Sequence, residues 1–179
     1  MAVLRLTSKK TLPLLLEALR RESFTQTVLA ETEGVSVGRV HKIVSWLKEK
    51  GIVVKEKGRY VMVRPNLLTD LIANQQVLSE RRRYAIRKED LERANQMLTA
   101  CLVVPEGIDA LRYHAFVDSD DARSMLEQLP RGDEEVVLFS YESVVPKKDD
   151  FIRSVIDLKS VGERSVAEAV AQRLWRTRQ

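Results

Sequence analysis

Cysteine is almost absent from this chain of 179 residues, in which Cys101 is the single example. One cysteine cannot form a disulfide within the chain, and it cannot supply a cysteine-based metal cluster. No apolar run approaches the roughly 20 residues that a bilayer-spanning helix needs, and no secretory signal follows Met1. We therefore expect a cytoplasmic protein that does not enter the membrane.

Sequence motifs of the common enzyme classes are missing as well. The chain has no Walker phosphate loop, no glycine-rich dinucleotide fingerprint, no Gly-x-Ser-x-Gly elbow and no His-Glu-x-x-His zinc motif. Asp118, Asp120 and Asp121 form the densest carboxylate group, but their position at the expected start of a helix favours capping over metal binding. His114 lies in an apolar strand, where packing is a commoner role than catalysis. We expect no enzymatic activity, no cofactor and no metal.

Positive charge is concentrated in the first part of the chain. Residues 1–66 contain 13 Lys and Arg against 6 Asp and Glu, a balance of +7, whereas residues 67–179 contain 17 against 20. The overall formal charge of +4 conceals this asymmetry. Clustered positive charge favours a polyanionic partner, because contacts with phosphates release condensed counterions.

Two short helices, at 25–33 and 36–50, are predicted to meet at a tight turn. Gly34 can take the positive φ of that turn, and Ser36 can accept a hydrogen bond from a free amide at the start of the second helix. Gly51 suits the carboxyl end of the same helix. Its apolar stripe, at a spacing of three or four residues, consists of Val37, Val40, Val44 and Leu47.

Two β-rich runs, 52–56 and 59–64, follow these helices, and only Lys57 and Gly58 separate them. This is the sequence pattern of a two-residue hairpin turn. An earlier helix is indicated by leucines at helical spacing, which are Leu12, Leu15, Leu16 and Leu19. The pattern therefore predicts three helices followed by a β-hairpin.

This arrangement resembles the winged helix-turn-helix of transcription regulators over about residues 8–64. The resemblance implies that helix 36–50 enters the DNA major groove and that the hairpin, called the wing, contacts the backbone or the minor groove. The helix residues expected to contact DNA lie near its amino end or on its exposed face, and they are Ser36, Val37, Gly38, Arg39, His41, Lys42 and Ser45. The wing residues expected to do so are Lys55, Lys57 and Arg59.

Several of these residues also have simpler interpretations. Val37 can belong partly to the apolar stripe, and His41 can be a solvated helix residue without a partner. A basic hairpin is often only solvated, but this one follows a helix of the same charge, which favours contact with DNA. The absent side chain of Gly38 would let the helix approach a base edge or a thymine methyl group, while Arg39 and Lys42 would reach phosphates.

Short strands and helices alternate in the rest of the chain. The expected elements are a connecting helix at 66–80, strands at 83–87, 100–104, 112–117 and 136–139, helices at 88–98, from Ser119 and after Gly162, and a short apolar run at 152–158. We therefore predict an α+β fold. It comprises a winged domain at 1–65, the connecting helix at 66–80, and a small α/β regulatory or partner-binding domain at 81–179.

The stretch 155–163, Val-Ile-Asp-Leu-Lys-Ser-Val-Gly-Glu, precedes an alanine-rich helix and is similar to the end of AbiEi-type antitoxins and related archaeal regulators. Those proteins place a winged helix before a nucleotidyltransferase-like α/β domain. The resemblance implies promoter binding by the first domain and a catalytically silent second domain that serves regulation or partner contact. It transfers no active-site residue to this chain.

We therefore expect a sequence-specific regulator that binds double-stranded DNA and performs no chemistry of its own. A homodimer, formed through the 66–79 helix or through the second domain, is a further expected contact. The alternative is a protein-interaction module of a transcription, replication or segregation assembly, in which helix 36–50 is only packed. That alternative requires an apolar or acidic outer helix face, and Arg39, His41 and Lys42 argue against it.

Overall fold

The computed structural model describes residues 4–98, 113–141, 144 and 150–176. Within these residues the chain is a mixed α+β protein with eight helices and two three-stranded sheets. It divides into two compact units, of which the first ends at Gln75 and the second begins at Gln76. The strand expected at 100–104 lies outside the described residues. No helix within those residues is long and apolar enough to cross a bilayer.

The first unit contains four helices and one small sheet. Its elements are α1 (Leu12–Arg20), β1 (Ser23–Phe24), α2 (Gln26–Thr32), α3 (Val37–Glu49), β2 (Val53–Glu56), β3 (Arg59–Met62) and α4 (Pro65–Ala73). The strands are antiparallel in the order β1-β3-β2. The three expected helices and the hairpin are thus present. Strand β1 is an addition, because two residues are too few to produce a periodic sequence pattern.

Local signals set the ends of α2 and α3. The Ser36 hydroxyl accepts a hydrogen bond from the amide of Arg39 at 3.4 Å, which caps the start of α3. Gly34, at φ 61°, makes the turn between the two helices, and Gly51, at φ 63°, follows the end of α3. These ends agree with the expected helices to within about one residue.

The second unit is a three-stranded sheet with helices on both faces. Its elements are β4 (Leu78–Ile86), α5 (Lys88–Met97), β5 (Tyr113–Val117), α6 (Asp120–Gln128), β6 (Glu134–Tyr141), α7 (Phe151–Ser160) and α8 (Arg164–Arg176). Central β6 is antiparallel to β4 and parallel to β5. Its side chains alternate between two cores, with Val136 and Leu138 packed towards α5 and α6, and Val137 and Phe139 towards α7 and α8.

One segment differs from its expected state because of this sheet and its packing. The connecting helix expected at 66–80 is wrong beyond Ala73, because residues from Leu78 onward pair with β6. Cross-strand pairing thus determines the state of a segment whose local spacing also suits a helix. The short run at 152–158 is helical and lies within α7, where each of its side chains is buried.

Strand β4 lies at an edge of its sheet and departs from a regular strand at two places. The pairing register shifts between Glu80 and Arg82, so a bulge interrupts the ladder. Near the other end, the loop after α6 folds back onto the strand, and the Gly132 amide donates to the Ala85 carbonyl at 3.2 Å. A Cβ on Gly132 would lie 2.5 Å from the carbonyl carbon of Ile86, so the close approach requires glycine.

A buried ion pair on α7 joins three parts of the second unit. Arg153 and Asp157 are 2% and 0% exposed, and the Arg153 Nε atom donates to Asp157 Oδ1 at 3.1 Å. Gln76 Nε2 donates to the same oxygen at 2.5 Å, and the Tyr141 hydroxyl donates to Oδ2 at 2.9 Å. The guanidinium also lies over the Tyr141 ring, 5.2 Å from its centroid. One carboxylate therefore connects α7 to the end of β6 and to the chain before β4.

The stability of the protein should depend on pH through Asp157. Burial raises the pKa of this carboxyl from 3.8 to about 6, against the opposing effect of Arg153. A raised folded-state pKa contributes stability that is complete below about pH 4 and is lost as the pH rises through 6. We expect the unfolding free energy of the wild type to fall relative to that of Asp157→Asn from pH 4 to pH 7. Urea titrations at several pH values measure the two free energies. A wild type that gains stability relative to the variant as the pH rises would contradict the assignment.

Candidate nucleic-acid interface

The outer face of α3 is open at its amino end. Val40, Val44 and Leu47 are buried as expected, but Val37 is 47% exposed, so its partial assignment to the buried stripe is wrong. All residues from Ser36 to Arg39 are exposed, which shows that the first turn extends beyond the packed part of the helix. The side chain of Val37 is therefore available for an apolar contact.

The helix residues expected to contact DNA share this exposed face. Six of them are exposed, namely Ser36, Val37, Gly38, Arg39, His41 and Lys42, whereas Ser45 is half-buried. Ser36 also has a structural role, because its hydroxyl caps the helix. A Cβ on Gly38 would have no heavy atom of the described chain within 4 Å, so the helix backbone is accessible at this point.

His41 is held by a polar contact that links α3 to α2 and the hairpin. The Gln26 Nε2 atom lies 3.3 Å from His41 Nδ1 and 3.1 Å from the Tyr60 hydroxyl. The interpretation of His41 as a solvated residue without a partner is therefore wrong. Because Nδ1 faces an amide donor, the ring proton is placed on Nε2, which can donate to another acceptor.

The hairpin presents its basic residues on two different faces. Its turn has Lys57 at φ 45° and Gly58 at φ 83°, as a two-residue turn requires. Lys55 pairs directly with Tyr60, so both side chains lie on the face that contacts α2. Arg59 lies on the other face and donates to the carbonyl of Ser23 at 3.4 Å. Lys55 and Lys57 are thus better placed than Arg59 to extend the surface of α3.

A cleft of about 720 Å³ lies beside the amino end of α3. We call it the basic cleft, and its polar and charged lining residues are Ser8, Lys9, Lys10, Thr11, Ser36, Arg39 and Lys42. The structure thus adds Lys9 and Lys10 to the expected site. The two consecutive lysines before α1 are visible in the sequence, but only folding brings them close to α3.

The four cations of the basic cleft differ from several arginines of the second unit in their ionic partners. Within the described residues, no salt bridge is formed by Lys9, Lys10, Arg39 or Lys42. In the second unit, by contrast, Arg82 pairs with Glu127 at 2.8 Å, and Arg83 pairs with Glu80 at 2.6 Å. The Arg83 guanidinium lowers the pKa of Glu80 through its hydrogen bond. The basic cleft therefore groups four cations that form no salt bridge with a described residue.

The carboxylate group at the start of α6 is already engaged by protein. Asp118 accepts two hydrogen bonds from Arg123, at 2.7 and 2.6 Å, and this guanidinium lowers the pKa of the carboxyl. The cap of α6 is the Ser119 hydroxyl, which accepts from the Ala122 amide at 3.1 Å, so an aspartate does not cap the helix. Asp120 and Asp121 lie in its first turn, as expected, where negative charge complements the helix dipole. Arg123 Nη1 also donates to Asp120 Oδ1 at 3.4 Å, although 98% of the Asp120 side chain is exposed.

One further candidate for chemistry lies in the second unit. His114 is half-buried on β5, and burial lowers its pKa. The residues that the structure describes contain no group of three His, Cys, Asp or Glu side chains positioned to hold a metal ion. The geometry of this unit therefore singles out no catalytic centre in the described part of the chain.

Comparison with known proteins gives no relative: no protein-family model, no curated protein and no solved structure matches the chain. The residues and their arrangement are therefore the only basis for a proposed function.

Proposed function

We propose that the protein is a DNA-binding transcription regulator of the winged helix-turn-helix type. In this proposal α3 is the recognition helix and the β2-β3 hairpin is the wing. The observation that carries it is a set of four cations beside the exposed start of α3, Lys9, Lys10, Arg39 and Lys42, none of which forms a salt bridge with a described residue. A DNA duplex presents phosphate charges along both sides of the groove that such a helix enters.

Base recognition would come from the first two turns of α3. Gly38 allows close approach of the helix backbone, and exposed Val37 offers an apolar contact to a thymine methyl group. His41, with Nδ1 facing Gln26, would donate from Nε2 to an acceptor on a base edge. These three residues would determine sequence preference, while Arg39 and Lys42 would bind phosphates irrespective of sequence.

The wing would add backbone contacts on the same side of the domain. Lys55 lies on the face of the hairpin that contacts α2, and its Nζ atom is 6.0 Å from the Tyr60 ring centroid. Lys57 lies at the tip and is exposed. We expect both lysines to contribute more than Arg59, whose guanidinium is directed to the Ser23 carbonyl.

The second unit would serve regulation or partner contact in this proposal. Several of its arginines are neutralised by neighbouring carboxylates, so it offers a duplex little net attraction. The alternative, a protein-interaction module, needs an apolar or acidic outer face on α3. The uncompensated charges of Arg39 and Lys42 favour the DNA interpretation over that alternative.

Duplex binding by the full chain tests the proposal. Fluorescence anisotropy with duplexes selected from a random pool should give affinities that fall linearly on a log scale with log salt, by a slope of about −0.9 per phosphate contact. Lys42→Ala should weaken all sequences alike, by roughly three- to tenfold, and reduce the slope by about 1. Lys48→Ala removes an exposed lysine from the far end of α3 and should change little. Absence of wild-type binding at about 50 mM salt would reject the proposal.

A further inference from the structure

The segment before α1 forms one wall of the basic cleft, and it is anchored rather than loose. The Leu6 amide donates to Gln75 Oε1 at 2.7 Å, and Gln75 Nε2 donates back to the Leu4 carbonyl at 3.4 Å. Leu6 is 1% exposed, and Thr7 beside it is also buried. The side chain of Gln75, which follows α4, thus holds this segment through hydrogen bonds to Leu4 and Leu6.

A compact turn then presents the two lysines. The Ser8 carbonyl accepts from the amides of Thr11 and Leu12, each at 3.0 Å, and the Ser8 hydroxyl donates to Thr11 Oγ1 at 2.9 Å. Lys9 and Lys10 lie at the exposed corner of this turn. Because the backbone of this turn is hydrogen-bonded, the Cα atoms of the two lysines are held at one wall of the cleft.

The opposite wall carries the matching charges from α3. Arg39 and Lys42 are three residues apart, which places them on the same face of the helix. Four cations therefore converge on a single cleft, and the described residues provide no carboxylate to any of them. Like charges without an acidic partner repel one another in the empty site. An anion bound between the two walls would reduce that repulsion.

We propose that the basic cleft is a phosphate-binding site, in which Lys9 and Lys10 hold a backbone phosphate of the DNA strand flanking the groove occupied by α3. This inference rests on the proposed function, and it adds a second line of contact outside the recognition helix. In helix-turn-helix proteins the helix that precedes the recognition helix crosses the DNA backbone, and here the turn before α1 would do so. The hydroxyls of Ser8 and Thr11 supply further polar groups to the cleft.

The first arm of the test compares two double variants in duplex binding. Lys9→Ala/Lys10→Ala should reduce affinity for every sequence by roughly tenfold or more at 0.1 M salt and lower the salt slope by about 2, with sequence preference unchanged. Lys48→Ala/Lys50→Ala removes the same charge from the other end of α3 and is the matched control. All four lysines are exposed, so neither variant should alter the fold, as circular dichroism will verify.

The second arm uses inorganic tripolyphosphate as a probe of the cleft itself. Amide signals of Lys9, Lys10, Ser36 and Gly38 should shift in nuclear magnetic resonance spectra of the wild type when the probe is added. Those of Ser36 and Gly38 should stay unchanged in the Lys9→Ala/Lys10→Ala variant. If the wild type binds duplex DNA but both double variants lose equal affinity and slope, the cleft proposal is overturned and the proposed function stands. If only tripolyphosphate binds in the cleft, the site serves a small phosphorylated ligand and the proposed function is wrong. If the wild type binds neither duplex DNA nor tripolyphosphate, both the cleft proposal and the proposed function are overturned.

Discussion

Replacing Asp157 by alanine should lower the free energy of unfolding by about 3–5 kcal/mol. At pH 7, above the Asp157 pKa of about 6, the substitution leaves the guanidinium of Arg153, which is 2% exposed, without its buried counter-charge. It also removes the acceptor of the hydrogen bonds from Gln76 and Tyr141. Urea unfolding of the full chain, followed by circular dichroism, measures the loss.

The ion pair between Arg82 and Glu127 provides the control for this experiment. Its partners are more than half exposed, so Glu127→Ala should cost no more than about 1 kcal/mol. The double variant Arg153→Met/Asp157→Leu removes both buried charges and should recover most of the stability lost in Asp157→Ala. Equal losses in Asp157→Ala and Glu127→Ala would show that burial does not determine the strength of the pair at α7.

Two glycine-to-alanine substitutions should have opposite effects on stability. A Cβ on Gly132 would lie 2.5 Å from the Ile86 carbonyl carbon and from Arg87 Cα, so the backbone would have to move. We expect Gly132→Ala to destabilise the protein by about 1–3 kcal/mol or more, as in other overpacked sites. Gly38→Ala places its methyl group in open space on an exposed helix, and it should stabilise the fold by up to about 1 kcal/mol.

Thermal unfolding of the two variants side by side checks this prediction. The proposed function adds a second readout, because the methyl group of Gly38→Ala would stand between α3 and a base edge and should weaken duplex binding or change its sequence preference. A Gly132→Ala protein as stable as the wild type would show that the loop after α6 can move away from β4 without loss.

The first unit could be predicted closely because its signals are local. A glycine at φ 61° between two helices, a serine cap at Ser36 and a Lys57-Gly58 turn each act within a few residues. Apolar spacing then identifies the buried side of α3, apart from Val37 in its first turn. Such features depend little on distant parts of the chain, so periodicity and turn chemistry suffice.

The features missed in the first unit depend on long-range contacts. Lys9 and Lys10 come to α3 only through folding, more than 25 residues along the chain from Arg39. The bridge from Gln26 to His41 and Tyr60 likewise joins three separate elements. No local pattern carries this information, which explains why the expected DNA contacts included one wall of the basic cleft and not the other.

In the second unit, cross-strand pairing and burial overrode local patterns. Residues 78–80 form a strand because β6 lies beside them, although their spacing also suits the end of a helix. Asp157 belongs to the stretch that resembles AbiEi-type antitoxins, and in the structure it is the centre of a buried polar network. Its packing role accounts for this residue within the fold, while the family resemblance stays a prediction.

The bulge in β4 has a consequence for behaviour in concentrated solution. A regular, uncharged outer strand is a template on which further chains can add, and this is how fibrils grow. If two copies of β4 were aligned antiparallel about Arg82, Arg81 of one would face Arg83 of the other, beside an interrupted ladder. The bulge and the row of arginines thus disfavour the addition of a second copy along β4.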